Sequence, residues 1–126
     1  MRRQLGLLVG LVAVMSCSAR SGPVPLEPVG EFSFETVVDG QAADGRIVIE
    51  GSAGQYKGLV VPNWGPPPGP IIEVTVADSE MTVVADWGGE DLVIYMTFTG
   101  DTYTGSWSMG FDGGDITGAR QMAEEQ

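Results

Sequence analysis

Short runs of alternating apolar and polar residues, separated by turns rich in glycine and aspartate, constrain this chain most strongly. The runs are rich in Val, Ile, Thr, Tyr and Phe, which favour strands, and several show the period of two that places every second side chain on one face. We predict eight strands, at residues 31–38, 45–50, 55–61, 71–77, 80–87, 91–99, 102–109 and 115–121. Outside the N-terminal segment no window has the spacing of an amphipathic helix, so the predicted fold is all-β.

The segments between the runs have the composition of tight turns. Two-residue hairpin turns need positive φ angles, which Gly and Asp accept at low cost. We therefore predict turns at Asp39-Gly40, Asp44-Gly45 and Gly88-Gly89, and a closing turn within residues 112–114. Strands joined by such turns lie antiparallel and adjacent, which gives an up-and-down meander.

An eight-stranded meander is expected to close into a barrel, because closure removes the unpaired strand edges. The interior of such a barrel is either just filled by side chains or holds one small ligand. A domain of about 90 residues has little core to spare, which favours the filled interior. Both outcomes are compatible with the pattern.

The N-terminal segment combines a charged start, an apolar run and the single cysteine of the chain. The apolar run, residues 5–14, is shorter than the ~20 residues that a membrane-spanning helix needs. It ends in Val-Met-Ser-Cys at residues 14–17, which resembles the lipobox of bacterial lipoproteins. The resemblance implies cleavage before Cys17, diacylglycerol on its sulfur and a location on the cell envelope. With Ser18 next, it implies the outer membrane in a host that has two membranes.

Four segments follow from this organisation. Residues 1–16 are the predicted lipoprotein signal, residues 17–30 the lipidated cysteine and a proline-rich tether, residues 31–121 the barrel, and residues 122–126 an acidic tail. Prolines at the density seen in the tether favour an extended, semi-stiff chain. Such a tether would hold the barrel away from the membrane surface.

Composition excludes several function classes. With no histidine and one cysteine, the chain lacks the groups for disulfides, thiolate or imidazole metal sites and Ser-His or Cys-His catalysis. After loss of residues 1–16, four basic residues remain against 17 acidic ones, a net charge of −13. That balance opposes binding to nucleic acid, whose phosphates are neutralised by Lys and Arg. We expect no enzyme, no cofactor and no metal.

The last thirty residues resemble a known structural element. The stretch Gly100 to Trp107, followed by Gly113-Gly114 and residues 116–120, is similar to the closing hairpin of small lipocalin-like, or calycin-like, β-barrels. It is also similar to hairpins of β-meander accessory domains in secreted bacterial hydrolases. The first strand carries Phe32 where lipocalins have Gly-x-Trp. The resemblance therefore implies the fold more than a function.

Trp107 and Arg120 form the first candidate site. Turns centred on Gly113-Gly114 or on Asp112-Gly113 place Trp107 opposite Arg120 or opposite Gly118, and both registers keep Trp107 and Arg120 on one face. A guanidinium over an indole contributes ~0.5–2 kcal/mol. The pair is predicted either to clasp the barrel shut or to offer Arg120 to a ligand carboxylate.

The second candidate is the proline-rich loop at residues 62–70, which carries Asn63 and Trp64. Long connections in compact domains often carry function, and prolines present an aromatic side chain at low entropic cost. Trp64 is predicted either to anchor a binding partner or to fold back as a lid over one end of the barrel.

The sequence thus predicts a non-enzymatic, lipid-anchored binding module of the cell envelope. It would bind a protein partner at the Trp64 loop or a small apolar ligand in the barrel, and the loop is favoured because the domain is small. The alternative is an inhibitor of a secreted hydrolase, such as a lysozyme or a protease, whose association an acidic surface would steer.

Overall fold

A computed structural model describes residues 26–121 as one closed barrel of eight antiparallel strands. Each strand pairs with the next along the chain, and the first pairs with the last. The strands are β1 (Gly30–Val38), β2 (Gln41–Glu50), β3 (Lys57–Pro62), β4 (Gly69–Ala77), β5 (Glu80–Trp87), β6 (Glu90–Thr99), β7 (Thr102–Met109) and β8 (Asp112–Ala119). The predicted all-β fold, an eight-stranded antiparallel meander closed into a small barrel, is confirmed.

Several predictions fall outside the described residues, namely the signal at residues 1–16, the lipid site Cys17 and the tail at residues 122–126. Of the predicted tether, the described part beginning at Leu26 packs against the barrel core. Within residues 26–121 no helix could cross a membrane. The same residues contain no cluster of acidic side chains arranged to hold a metal ion.

Two predicted turns have the expected geometry. Asp39 and Gly40 have φ angles of 52° and 80°, and Gly88 and Gly89 have φ angles of 67° and 95°. Positive φ at both central residues is the requirement of the tight turn whose twist matches that of the flanking strands. These turns fix the registers of the β1–β2 and β5–β6 hairpins.

The turn predicted at Asp44-Gly45 is wrong, since both residues lie inside β2. Gly45 pairs with Phe34 of β1, and a Cβ atom on Gly45 would lie 2.8 Å from the Phe34 ring. Glycine is needed here because an aromatic ring covers the backbone, and not because the chain reverses.

The closing turn predicted within residues 112–114 is also wrong. The chain reverses at Gly110-Phe111, where Gly110 has a φ angle of 62°, and Asp112 already pairs with Met109. This register sets Trp107 opposite Gly114. The two predicted registers placed Arg120 or Gly118 opposite Trp107, and both are wrong.

Two aromatic side chains of β7 complete the closure of the barrel by reaching over glycines of β8. Trp107 pairs with Gly114 and Tyr103 with Gly118, and a Cβ on either glycine would lie within 3.1 Å of the aromatic side chain. The β1–β8 ladder itself is short, with Glu35 opposite Thr117 and Thr36 opposite Ile116. Aromatic side chains therefore supplement a short backbone seam.

The connections alternate between two ends of the barrel. The open end holds residues 39–40, 63–68, 88–89 and 110–111, and the closed end holds residues 51–56, 78–79 and 100–101. β1 begins and β8 ends at the closed end. There the rings of Phe32 and Phe98 meet edge to face with centroids 5.7 Å apart, and Tyr103 lies 5.2 Å from Phe98. This end of the interior is filled by side chains.

Candidate ligand site at the open end of the barrel

The open end contains a cavity of about 160 Å³. Almost no polar atom faces it, and all three tryptophans of the chain line it. Its walls include Phe34, Trp64, Trp87, Leu92, Ile94 and Trp107. The interior is thus filled at the closed end and unfilled at the open end, so the expectation of a wholly filled barrel holds for only part of it.

Glycines make room for the tryptophans in the cavity wall. A Cβ on Gly69, at the start of β4, would lie 2.7 Å from the Trp87 ring, and one on Gly114 would lie 3.1 Å from Trp107 Nε1. Larger residues at these positions would push the indoles out of place. The two glycines therefore shape the cavity without lining it.

Trp107 is fixed by a chain of two hydrogen bonds. Its Nε1 donates to Thr36 Oγ1 at 2.8 Å, and the Thr36 hydroxyl donates to the Asp115 carbonyl oxygen at 2.5 Å. The indole and the hydroxyl satisfy one another, so the polar atoms of both are removed from the cavity surface. Trp107 is half-buried and connects β7 to β1.

Trp64 lies against the cavity, with 39% of its surface exposed. Its ring meets Phe34 nearly edge-on, with centroids 6.2 Å apart and planes at 79°. The loop is held by Asn63, whose backbone N–H donates to the Asp44 carbonyl oxygen at 2.8 Å and whose Nδ2 donates to Asp44 Oδ1 at 3.4 Å. The loop and the barrel interior, which the sequence left as separate candidates, contribute to one site.

Arg120 lies at the closed end, away from this site. Gly114, which faces Trp107, is six residues from Arg120, a separation of roughly 20 Å along a strand. The predicted contact between Trp107 and Arg120 is therefore wrong, although alternation keeps both on the inner face. The Arg120 guanidinium stacks over the Phe32 ring at 4.7 Å.

Arg120 also holds the N-terminal segment onto the barrel. Its NH1 group donates to the Val29 carbonyl oxygen at 3.1 Å, its NH2 group donates to the Glu27 carbonyl oxygen, and its Nε lies 3.9 Å from Asp101 Oδ1. These contacts occupy the guanidinium. Arg120 clasps the barrel, as one interpretation of the sequence held, but through Phe32 and the backbone before β1.

Tyr103 is the buried titratable group of the closed end. Its hydroxyl donates to the Ser33 carbonyl oxygen at 2.7 Å, and its side chain is 2% exposed. Burial raises the pKa of Tyr103 well above its ordinary value of 10.0, because desolvation disfavours the phenolate. Tyr103 therefore stays protonated and keeps β7 bonded to β1.

Charge is distributed unequally between the two ends. Eight carboxylates and no Lys or Arg lie within four residues of an open-end connection. The carboxylates are Glu35, Asp39, Asp44, Asp86, Glu90, Asp91, Asp112 and Asp115. The open end therefore combines an apolar cavity with a high density of carboxylates in the nearby turns and strand ends.

Sequence reasoning found Trp64 and Trp107 but missed Phe34 and Trp87 as site residues. One signal could have found Trp87, because the tryptophans recur about every 20 residues along the chain. That interval is one up-and-down pair of strands, which returns the chain to the same end of a meander. Phe34 lies in the first predicted strand, but alternation does not say at which depth in the barrel a side chain packs.

Comparisons with known proteins find similarity among solved structures only. No protein-family model matches the sequence, and no curated protein matches it. Among solved structures, the chain is similar to two mutants of the fluorescent protein UnaG, at 12% identity and TM-scores of 0.45 and 0.43. The similarity covers 75% and 73% of this chain and 96% and 94% of theirs. The assignment of the barrel and its cavity therefore follows from the strand pairing and side chains of this chain alone.

Proposed function

We propose that this protein is a non-enzymatic binding module that holds a small apolar ligand at the open end of its barrel. The observation that carries the proposal is the apolar cavity of about 160 Å³, walled by three tryptophans and reached through the open end. An unfilled apolar cavity in so small a domain costs stability, since the atoms that line it lose packing contacts. A ligand would restore those contacts.

The cavity volume limits the ligand. An engineered apolar cavity of about 150 Å³ in another protein binds benzene, so this cavity suits a single ring or a short branched chain. Burying an aromatic ring of about 150–200 Å² at ~25 cal/mol per Å² gives ~4–5 kcal/mol, or dissociation constants near the millimolar range. Larger ligands would extend past Trp64 and gain affinity from contacts at the rim, the ring of open-end connections at residues 39–40, 63–68, 88–89 and 110–111.

The direct test is a titration of the purified chain with toluene, followed by tryptophan fluorescence and by NMR chemical shifts. Leu92→Phe fills the cavity and should weaken binding by about tenfold, or ~1.4 kcal/mol. Leu59→Phe is the matched control, because Leu59 is 42% exposed and does not line the cavity. Saturable binding that is equal in the wild type and both variants would contradict the proposal.

We also propose that the protein is anchored to the cell envelope through a lipid on Cys17. The support is the charged start, the short apolar run and the lipobox-like residues 14–17. Mass spectrometry of the mature N-terminus should find a lipidated cysteine, and Cys17→Ala should move the protein out of the membrane fraction. Recovery of an unlipidated chain cleaved at another residue would contradict the anchor.

A protein partner at the open end is the second candidate function. It is favoured by Phe111, which is fully exposed at the β7–β8 turn, near an open end that also exposes part of Trp64. Exposed aromatic side chains are frequent anchors of protein interfaces. Phe111→Ser should then abolish capture of one defined partner, whose association would slow as salt rises.

The hydrolase inhibitor considered from the sequence is a special case of this second candidate. Adding the purified chain to a basic lysozyme and measuring residual activity, with Phe111→Ser as the control variant, tests it directly. Full lysozyme activity at a large excess of the chain would exclude lysozyme as the target.

A further inference from the structure

Two carboxylates of the open end belong to residues that pair with residues lining the cavity. Glu90 pairs with Trp87 across the β5–β6 hairpin, and Asp112 pairs with Met109 across the β7–β8 hairpin. Both Trp87 and Met109 line the cavity. The Glu90 carboxylate also approaches the β7–β8 turn, since a Cβ on Gly110 would lie 3.7 Å from it. Two neighbouring turns thus contribute charge to one rim.

In the described part of the chain, the ion pairs lie away from this charge. The two ion pairs found within residues 26–121 join Arg46 to Glu31 at 3.6 Å and Arg120 to Asp101 at 3.9 Å. Both carboxylates belong to the half of the barrel that contains the closed end. Lys57, the remaining described basic residue, begins β3 at the closed end. Among residues 26–121, no basic side chain therefore forms an ion pair with a carboxylate of the open end.

We infer that the ligand of this cavity is an organic cation, with an apolar ring or chain inside the barrel and an ammonium or guanidinium group at the rim. This inference rests on the proposed function and adds the charge of the ligand to it. A cleft with charge of one sign and apolar walls focuses the field and concentrates ions of the opposite sign. A ligand with a carboxylate headgroup would place like charges side by side.

The aromatic walls favour the same class of ligand. Trp64, whose side chain is 39% exposed beside the mouth of the cavity, can attract a cation there through its ring quadrupole. The charged group itself stays at the rim, because moving it into a cavity without polar atoms would cost its hydration. The apolar part of the ligand would thus lie in the cavity, and its cationic group would lie near Glu90 and Asp112.

Three probes that share a phenethyl group and differ in charge test the inference. Phenethylammonium, phenethyl alcohol and hydrocinnamate are titrated into the purified chain at low salt and followed by NMR chemical shifts. The cation should bind about tenfold more tightly than the anion, with the alcohol between them. Added salt should reduce the difference and leave the affinity of the alcohol unchanged, because salt screens the exposed carboxylates.

A pair of double variants locates the effect. Glu90→Gln with Asp112→Asn removes two rim charges and should lower the preference for cation over anion at least about threefold. The matched control, Glu50→Gln with Asp78→Asn, removes two charges from the closed end and should leave the preference unchanged.

The outcomes separate the two proposals. Binding of the alcohol with no preference for the cation would overturn the inference and leave the proposed function standing. Equal effects of the two double variants would also overturn it, since the preference would then follow net charge and not the rim. Absence of binding by all three probes would overturn both.

Discussion

The two ends of this barrel are built from the same eight strands, but their inner side chains have opposite consequences. At the closed end, Phe32 and Phe98 pack to fill the interior, and Arg120 covers Phe32. At the open end, three larger tryptophans leave a cavity of about 160 Å³. Larger side chains do not produce a fuller interior here, because the tryptophans line the cavity and do not fill it. The comparison indicates that the closed end contributes most to stability, whereas the open end has the shape of a ligand site.

The largest expected effect on stability comes from a substitution at the closed end. Phe32→Ala should lower the free energy of unfolding by ~3–5 kcal/mol, because Phe32 is 0% exposed and supports the Arg120 guanidinium. Phe111→Ala is the matched substitution at the open end, where the ring is fully exposed, and should change stability by less than about 0.5 kcal/mol. Urea midpoints of the two variants measure the difference, and similar losses would show that stability is not concentrated at the closed end.

Alkaline pH should weaken the closed end selectively. Because the pKa of Tyr103 is raised in the folded state, its contribution is fully present below the unfolded-state value of about 10 and is lost as pH rises above it. The free energy of unfolding should fall by up to about 1.4 kcal/mol per pH unit in that range.

Tyr103→Phe should flatten this dependence, while Tyr95→Phe, at a tyrosine that is 49% exposed, should preserve it. Denaturant titrations between neutral and strongly alkaline pH distinguish the variants. The same slope in all three proteins would assign the pH dependence to other groups.

A smaller effect is expected where the open end contributes to closure. Trp107→Phe keeps an aromatic ring but removes the hydrogen bond from Nε1 to Thr36 Oγ1, and should cost about 1 kcal/mol. Thr36→Val removes the other partner, and the double variant should lose less than the sum of the two single losses. Strict additivity in a double-mutant cycle would mean that this bond does not help to join β7 to β1.

The smallest effect on stability should come with a large effect on binding. Trp64→Ala should change the free energy of unfolding by about 1 kcal/mol or less, because a substantial part of the ring is exposed. It removes the wall of the cavity that contacts Phe34, so affinity for an apolar probe should fall several-fold. Loss of stability comparable to that of Phe32→Ala would show instead that Trp64 is a structural plug.

The sequence predicted the barrel because alternation and tight turns are local signals. Eight strands joined by such turns then close, since closure removes the unpaired strand edges. It misplaced two turns because glycine has two uses that look alike in a sequence. At Gly40 and Gly110 it supplies a positive φ angle, whereas at Gly45 and Gly114 it leaves space for a ring. Only the register of the neighbouring strand decides between the two uses.

The candidate site was predictable in part. Trp64 was found because it lies in the longest loop, and its contact with Phe34 was not, since alternation says which face a residue occupies but not what lies across the barrel. Arg120 was paired with the wrong aromatic residue because its true partner, Phe32, depends on how β1 meets β8. The cavity itself depends on the summed volume of side chains from many strands, which no single segment encodes.

If the chain is anchored at Cys17 as proposed, the placement of its ends limits the route by which a ligand can arrive. The described chain enters and leaves the barrel at the closed end, where Gln121 N–H donates to the Glu31 carbonyl oxygen at 2.8 Å. A molecule tethered through Cys17 would thus be held by its base, with the cavity on the side remote from the attachment. Ligands would reach it through the aqueous phase and not by lateral diffusion within a bilayer, which selects compounds with appreciable solubility in water.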